Sequence, residues 1–141
     1  MLAILTPVAF AAILSMPSAA QNQPKLTAML GAEGLFFTVK DLGKFPLLLL
    51  LRNDSGTAVE PAKLGSRIFL DGRPVKGGLI DAFFSSGPLG PGKSLAPGKH
   101  ASTGLLLSLV VKTPGAHRLV WRGAGFSSNE VRLLVAEKPG D

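Results

Sequence analysis

A chain of 141 residues, with 15 Lys/Arg against 9 Asp/Glu, a net charge of +6 and no cysteine, is long enough for one packed domain and too short for two. The missing thiols exclude a disulfide framework, a cysteine nucleophile, cysteine–metal sites and a lipid-modified N-terminal cysteine. Seventeen glycines and eleven prolines, with no obvious amphipathic helix, point to short strands and many turns.

The first stretch is a class apart. Met1 to Leu14 is apolar, and Ser18, Ala19 and Ala20 follow as the small residues a signal peptidase accepts, so residues 1–20 read as a signal peptide cleaved before Gln21. No Lys or Arg precedes the apolar run, which leaves the α-amino group as the positive end. An uncleaved anchor is the alternative, although the run is shorter than the roughly 20 residues of a spanning helix. Residues 21–141 then form one periplasmic or secreted domain.

Within that domain, Leu26 to Leu30 is a first strand ended by Gly31 and Gly34, and Leu35 to Val39 a second. Leu47 to Leu51 runs apolar without alternation between Pro46 and Asn53-Asp54-Ser55-Gly56, which leaves room for a short buried strand and not for a helix. Ser66 to Leu70 alternates and meets Asp71-Gly72, the dipeptide that two-residue hairpins favour. Arg73-Pro74-Val75 begins the return, with Pro74 at an edge. Leu79 to Phe84 is a further short apolar run, and Ser85 to His100 is a loop punctuated by Pro88, Pro91 and Pro97. Thr103 to Lys112 reads as one long strand, or two bent at Ser108.

The last two strands pack as a hairpin. Ala116–Arg122 and Glu130–Val135 fold about Phe126, placing Trp121 opposite Val131, Leu119 opposite Leu133 and Arg122 opposite Glu130. His117, Leu119 and Trp121 then share the core face with Val131, Leu133 and Val135, while Arg118 and Arg132 point out. Seven or eight strands without a long helix is the pattern of an all-β antiparallel sandwich.

Several short motifs recur in a known order: Leu49 to Gly56 (Leu-x-x-x-Asn-Asp-Ser-Gly), Leu95 to Lys99 (Leu-x-Pro-Gly-Lys), Pro114 to Leu119 (Pro-Gly-x-His-Arg-Leu) and Ser128 to Val135 (Ser-Asn-Glu-Val-x-Leu-x-Val). This layout resembles bacterial immunoglobulin-like sandwich domains of exported accessory proteins. It is also similar to the intracellular proteinase inhibitor family, in which a Pro-Gly-x-Tyr corner opens the penultimate strand; here His117 stands in the tyrosine's place. The resemblance implies an immunoglobulin-like sandwich and, through the second family, an inhibitor that would use the 85–100 loop.

The chemical census is thin. Gly87 to Ser94 satisfies G-x-x-x-x-G-K-[ST], but Pro88 and Pro91 remove backbone donors from the cradle and Pro97 sits where its helix must open. His100 and His117 lack helical metal-pair spacing and have no third ligand. No serine lies in a nucleophile elbow, and no acids are marked as a glycosidase pair. Asn53-Asp54-Ser55 matches a glycosylation acceptor and equally an Asx turn. The aromatic positions, Phe36 and Trp121 among them, fall in core-like runs, which argues against base stacking and a nucleic-acid partner. No catalytic, cofactor-binding or metal-ligating residue is assigned, and no cofactor is expected.

One irregularity points to function. A strand of a two-layer sandwich shows one face to water, yet Leu47–Leu51, and Leu105–Leu107 with Leu109–Val111, offer apolar side chains to both. With Leu47, Leu49 and Leu51 inward, Leu48 and Leu50 face out; these two, with Arg118 and Arg132, are the candidate binding residues. The sequence therefore reads as an exported, non-catalytic binding or accessory module. Its expected partner is another envelope protein or a second copy, and it meets the membrane only through an uncleaved N-terminal segment. N-terminal sequencing of the exported protein is expected to begin at Gln21; a first residue of Met1 would show an anchor instead.

Overall fold

The computed structural model describes residues 25–137; the apolar N-terminal segment and its expected cleavage site lie outside them. Two sheets pack face to face. The smaller holds β1 (Leu26–Ala32), β3 (Pro46–Asn53) and β6 (His100–Leu106), with β3 in the centre and both pairings antiparallel. The larger runs β2 (Phe36–Thr38), β9 (Val131–Ala136), β7 (Gly115–Gly123), β4 (Arg67–Leu70) and β5 (Arg73–Pro74), with the short β8 (Phe126–Ser127) on the end of β7. Strand β2 lies parallel to β9 and every other ladder is antiparallel.

Alternation builds the core. Leu47, Leu49 and Leu51 of β3 are fully buried and meet Ile68, Leu119 and Trp121 of the facing sheet within one apolar cluster. Burying a side chain of that size contributes about 1.5–3 kcal/mol. The rings of Trp121 and Phe126 meet edge to face, centroids 5.0 Å apart and planes at 74°, an orientation the aromatic quadrupole favours.

Two asparagines close the sandwich where ladders end. Asn53 is the one polar residue fully buried among the described residues. Its amide donates to the carbonyls of Thr57 (2.8 Å) and Leu95 (2.9 Å), and its Oδ1 accepts from the Ser55 backbone (3.0 Å) and hydroxyl (2.6 Å). A satisfied amide costs little to bury, whereas an orphaned one costs about 1–3 kcal/mol. Asn129 acts at the free edge of β1, where its side chain accepts from Leu30 N–H and donates to Leu30 C=O, both at 2.9 Å. It replaces a missing neighbour strand and blunts an edge that would otherwise template aggregation.

Four expectations are corrected. The hairpin register is offset by two residues: Leu119, not Trp121, lies opposite Val131, and His117 lies opposite Leu133. Arg122 pairs with Ser127 and not Glu130. The cause is a tight turn at Ala124-Gly125 followed by a bulge, with Val120-Trp121 facing Ser128-Asn129-Glu130. The Ser128 hydroxyl fills the bulge by accepting from Trp121 N–H at 2.9 Å. An even offset preserves the inward face. Second, the Leu79–Phe84 run is helical: α1 spans Gly78–Phe84, opened by Asp81, whose carboxylate accepts from Gly77 N–H and pairs with Arg67 of β4. Third, β6 stops at Leu106, and a 3₁₀ turn over Leu107–Leu109 carries Leu107, Val110 and Val111 into the core, so that stretch is not a strand with two apolar faces. Fourth, Phe36 is 76% exposed, because β2 is an edge strand and Phe37 holds the inward position.

Trp121→Ala removes the largest core side chain and is expected to lower unfolding stability by about 3–5 kcal/mol. Native Trp121 fluorescence should be blue-shifted and move red on unfolding; a solvent-like native maximum would contradict this packing.

Candidate binding face

The smaller sheet carries nothing on its outer side among the described residues. Across that face the register sets rows of outward residues: Pro46 beside Leu106, then Gly31–Leu48–Gly104, then Met29–Leu50–Ser102, then Thr27–Arg52–His100. Leu48 is 49% exposed, Met29 57% and Leu106 44%, while Leu50 is half-buried between its neighbours. Leu48 stands between two glycines. A Cβ on Gly104 would come within 3.3 Å of the Leu48 side chain, so leucine leans on that glycine; a Cβ on Gly31 would meet nothing within 4 Å. The relief is a leucine ridge beside a glycine-floored trough of about 480 Å³, lined by Met29, Gly31, Leu48, Leu50, Ser102 and Thr103 among others.

The two ends of this face differ electrically. Beyond Leu50 come Arg52 and His100, and main-chain bonds bring Lys25 and Lys99 to the same end: Asp54 N–H donates to Lys25 C=O and Asn53 N–H to Lys99 C=O, each at 2.9 Å. The acid there, Asp54, is already engaged by the Thr27 hydroxyl and by Arg52 Nε at 2.6 Å. Those bonds hold its carboxyl below the usual range, the Thr27 bond most and Arg52 next.

The other features the sequence singled out do not assemble a reactive site. The phosphate-loop pattern is no cradle, since Gly92 N–H donates to Glu60 (3.0 Å). That bond, with Lys63 beside it, lowers the Glu60 pKa. Gly87–Leu89 is a 3₁₀ turn, and Leu89 and Leu95 are buried. Leu95 also bridges to Val59, so the 85–100 segment lies on the body and is not held out as an extended loop. Asn53 is an Asx turn, its amide too deeply bonded to accept a glycan. His100 and His117 belong to different sheets. Among the described residues no three His, Cys, Asp or Glu side chains stand close enough to hold a metal ion. A second depression, about 590 Å³, lies between α1 and residues 109–113, with neither acid nor histidine in its lining.

The four candidate binding residues fall on opposite sides of the molecule. Leu48 and Leu50 lie outward on the smaller sheet; Arg118 and Arg132 are exposed on the larger one, directly opposite each other across β7 and β9. Arg132 is paired with Glu130 at 2.7 Å. These arginines do not share a site with the leucines. The residues the sequence did not offer, Met29, Gly31, Gly104 and Leu106, become neighbours of Leu48 only through the strand register.

No family model and no curated protein matches the chain. Among solved structures, it is similar to the crystal structure of the CARDB domain of the PF1109 protein from Pyrococcus furiosus, in complex with di-metal ions. The TM-score is 0.51 and the identity 12%, over 82% of this chain and 96% of that one. The solution NMR structure of the same domain aligns with a TM-score of 0.49, also at 12% identity, over 82% of this chain and 97% of that one. The fold is an immunoglobulin-like sandwich of the CARDB kind.

His117 takes the corner position by a different chemistry from a phenol. One ring nitrogen meets the Asp71 carboxylate at 2.8 Å and the other the Thr113 carbonyl, four residues upstream, at 2.9 Å. Two acceptors require two N–H donors, the imidazolium. Burial pushes the His117 pKa down, but the Asp71 and Thr113 bonds outweigh it and the net shift is upward. Asp71 is shifted down, chiefly by the His117 bond and then by Arg118 N–H. A raised histidine pKa stabilises fully below the unfolded value, about 6.5, and the contribution is lost as pH rises through the folded value. Urea midpoints are therefore expected to fall between pH 6 and pH 8.5, and His117→Gln should flatten that slope. An unchanged slope would show that His117 is neutral in the fold.

Proposed function

We propose that this chain is a non-catalytic binding module of the cell envelope that works through the outer face of its three-stranded sheet. The observation that supports it most is the exposed patch of Met29, Leu48 and Leu106 around half-buried Leu50 on a face where a sandwich usually presents polar residues. Export follows from the signal-like segment, and the binding partner is a component of the envelope or a second copy. The inhibitor alternative draws no support from the 85–100 segment, whose leucines pack inward.

The test is the double variant Leu48→Ser, Leu50→Ser. It is expected to keep the wild-type circular dichroism spectrum, to melt within a few degrees of wild type, and to lose most of the fluorescence that anilinonaphthalene sulfonate gains on the native protein. If the double variant unfolds, these residues are core and the reading fails; if it folds and dye fluorescence is unchanged, the face is not the binding surface.

A further inference from the structure

We propose that the outer face of the three-stranded sheet binds a single-chain anionic amphiphile, with the alkyl chain in the trough beside Leu48 and the acidic head at Arg52. This rests on the reading of that face as the binding surface and names its ligand class. The face has two chemically distinct ends. Pro46, Leu48 and Leu106 form the apolar end, while Arg52, His100 and Lys25 form the other. Arg52 spends only Nε on Asp54. Its terminal nitrogens make no ion pair among the described residues and lie free for a carboxylate, sulfate or phosphate head, which a guanidinium fork binds in bidentate fashion.

The dimensions match such a ligand. At about 3.4 Å per residue, Arg52 stands roughly 14 Å from Leu48 along β3, the extended length of a medium-chain fatty acid. The trough volume of about 480 Å³ falls within the range of small-molecule clefts. Its floor is open at Gly31, where a side chain would otherwise stand.

The same two-ended character counts against the other occupants. A second copy related by a two-fold axis in the plane of the face and perpendicular to the strands would lay its basic end on the apolar end of the first. A two-fold axis along the strands would set basic end on basic end. A face three strands wide and six residues long covers roughly 14 Å by 20 Å, well below the roughly 800 Å² per partner of a stable protein interface.

Titration calorimetry on the mature chain tests this, with laurate kept below its micelle concentration and dodecyltrimethylammonium as the cationic ligand of equal chain length. Laurate is expected to bind at one site at least about tenfold tighter than the cation. Arg52→Gln should cost laurate about tenfold, as the loss of one charged hydrogen-bonding partner does, and leave the cation unaffected. Gly31→Val, folded as judged by circular dichroism, should weaken both. Equal affinity for the two head groups, or indifference to Arg52→Gln, overturns the ligand class while leaving an apolar binding face in place. Indifference to Gly31→Val, or binding to laurate only within phosphatidylcholine vesicles, overturns the trough as the site. No binding at all overturns the inference, and the dye measurement on the Leu48→Ser, Leu50→Ser variant decides separately whether the face binds anything.

Discussion

Everything in this molecule turns on a central strand that is apolar on both faces while only one face is covered. Leu47, Leu49 and Leu51 point into the sandwich and are fully buried; Leu48 and Leu50 alternate with them and have no layer above among the described residues. The inward set supplies the anchor of the core, and because the side-chain period is two the outward set is fixed with it. A slip of one residue would exchange two apolar faces over Leu47–Leu51, so the leucines by themselves do not set the register of β3. Register therefore has to come from elsewhere, and Asn53 supplies it. Buried at the end of β3, it finds its four hydrogen bonds only where Thr57, Ser55 and Leu95 meet it.

The same economy recurs at the edges. A three-stranded sheet leaves two strands with unpaired backbone, and Asn129 occupies one of these edges by bonding both polar groups of Leu30. That contact also ties β1 to the β8–β9 connection, so the smaller sheet is hinged to the larger through hydrogen bonds as well as through packing. The open outer face is thus kept in register chiefly by groups that lie at its margins, and its leucines are not needed for that. A binding surface free of structural duty tolerates substitution, and it also explains how exposed leucines coexist with a stable sandwich.

Much of this was legible in the sequence because the relevant signals are local. Alternation in residues 116–122 and 130–135 gave the inward face of both strands, Asp71-Gly72 marked its hairpin, and Leu47–Leu51 between Pro46 and Asn53 marked a strand. What failed depended on distant groups. The hairpin register needed the Ser128 hydroxyl on Trp121 N–H, and α1 needed Asp81 paired with Arg67; a six-residue run with five apolar side chains carries too little period to choose helix or strand. Phe36 reads as core next to Phe37, and only its place on an edge strand turns it outward. For the candidate face, Leu48 and Leu50 were readable from the run of leucines. The glycines flanking Leu48 and the basic end at Arg52, His100 and Lys25 come from three strands far apart in the chain and are assembled by register alone. Arg118 and Arg132 were chosen for pointing outward, which they do, but on the opposite sheet.

The account stands on one claim: that the outer face of the β1–β3–β6 sheet is the working surface. Methyl chemical-shift mapping during a laurate titration reads it most directly, because exposed methyls elsewhere act as internal controls. The methyls of Met29, Leu48, Leu50 and Leu106 are predicted to shift and broaden while those of Leu79 and Leu134, which are similarly or more exposed, stay in place. Perturbations of equal size at Leu79 and Leu134, or perturbations confined to the larger sheet, would contradict it.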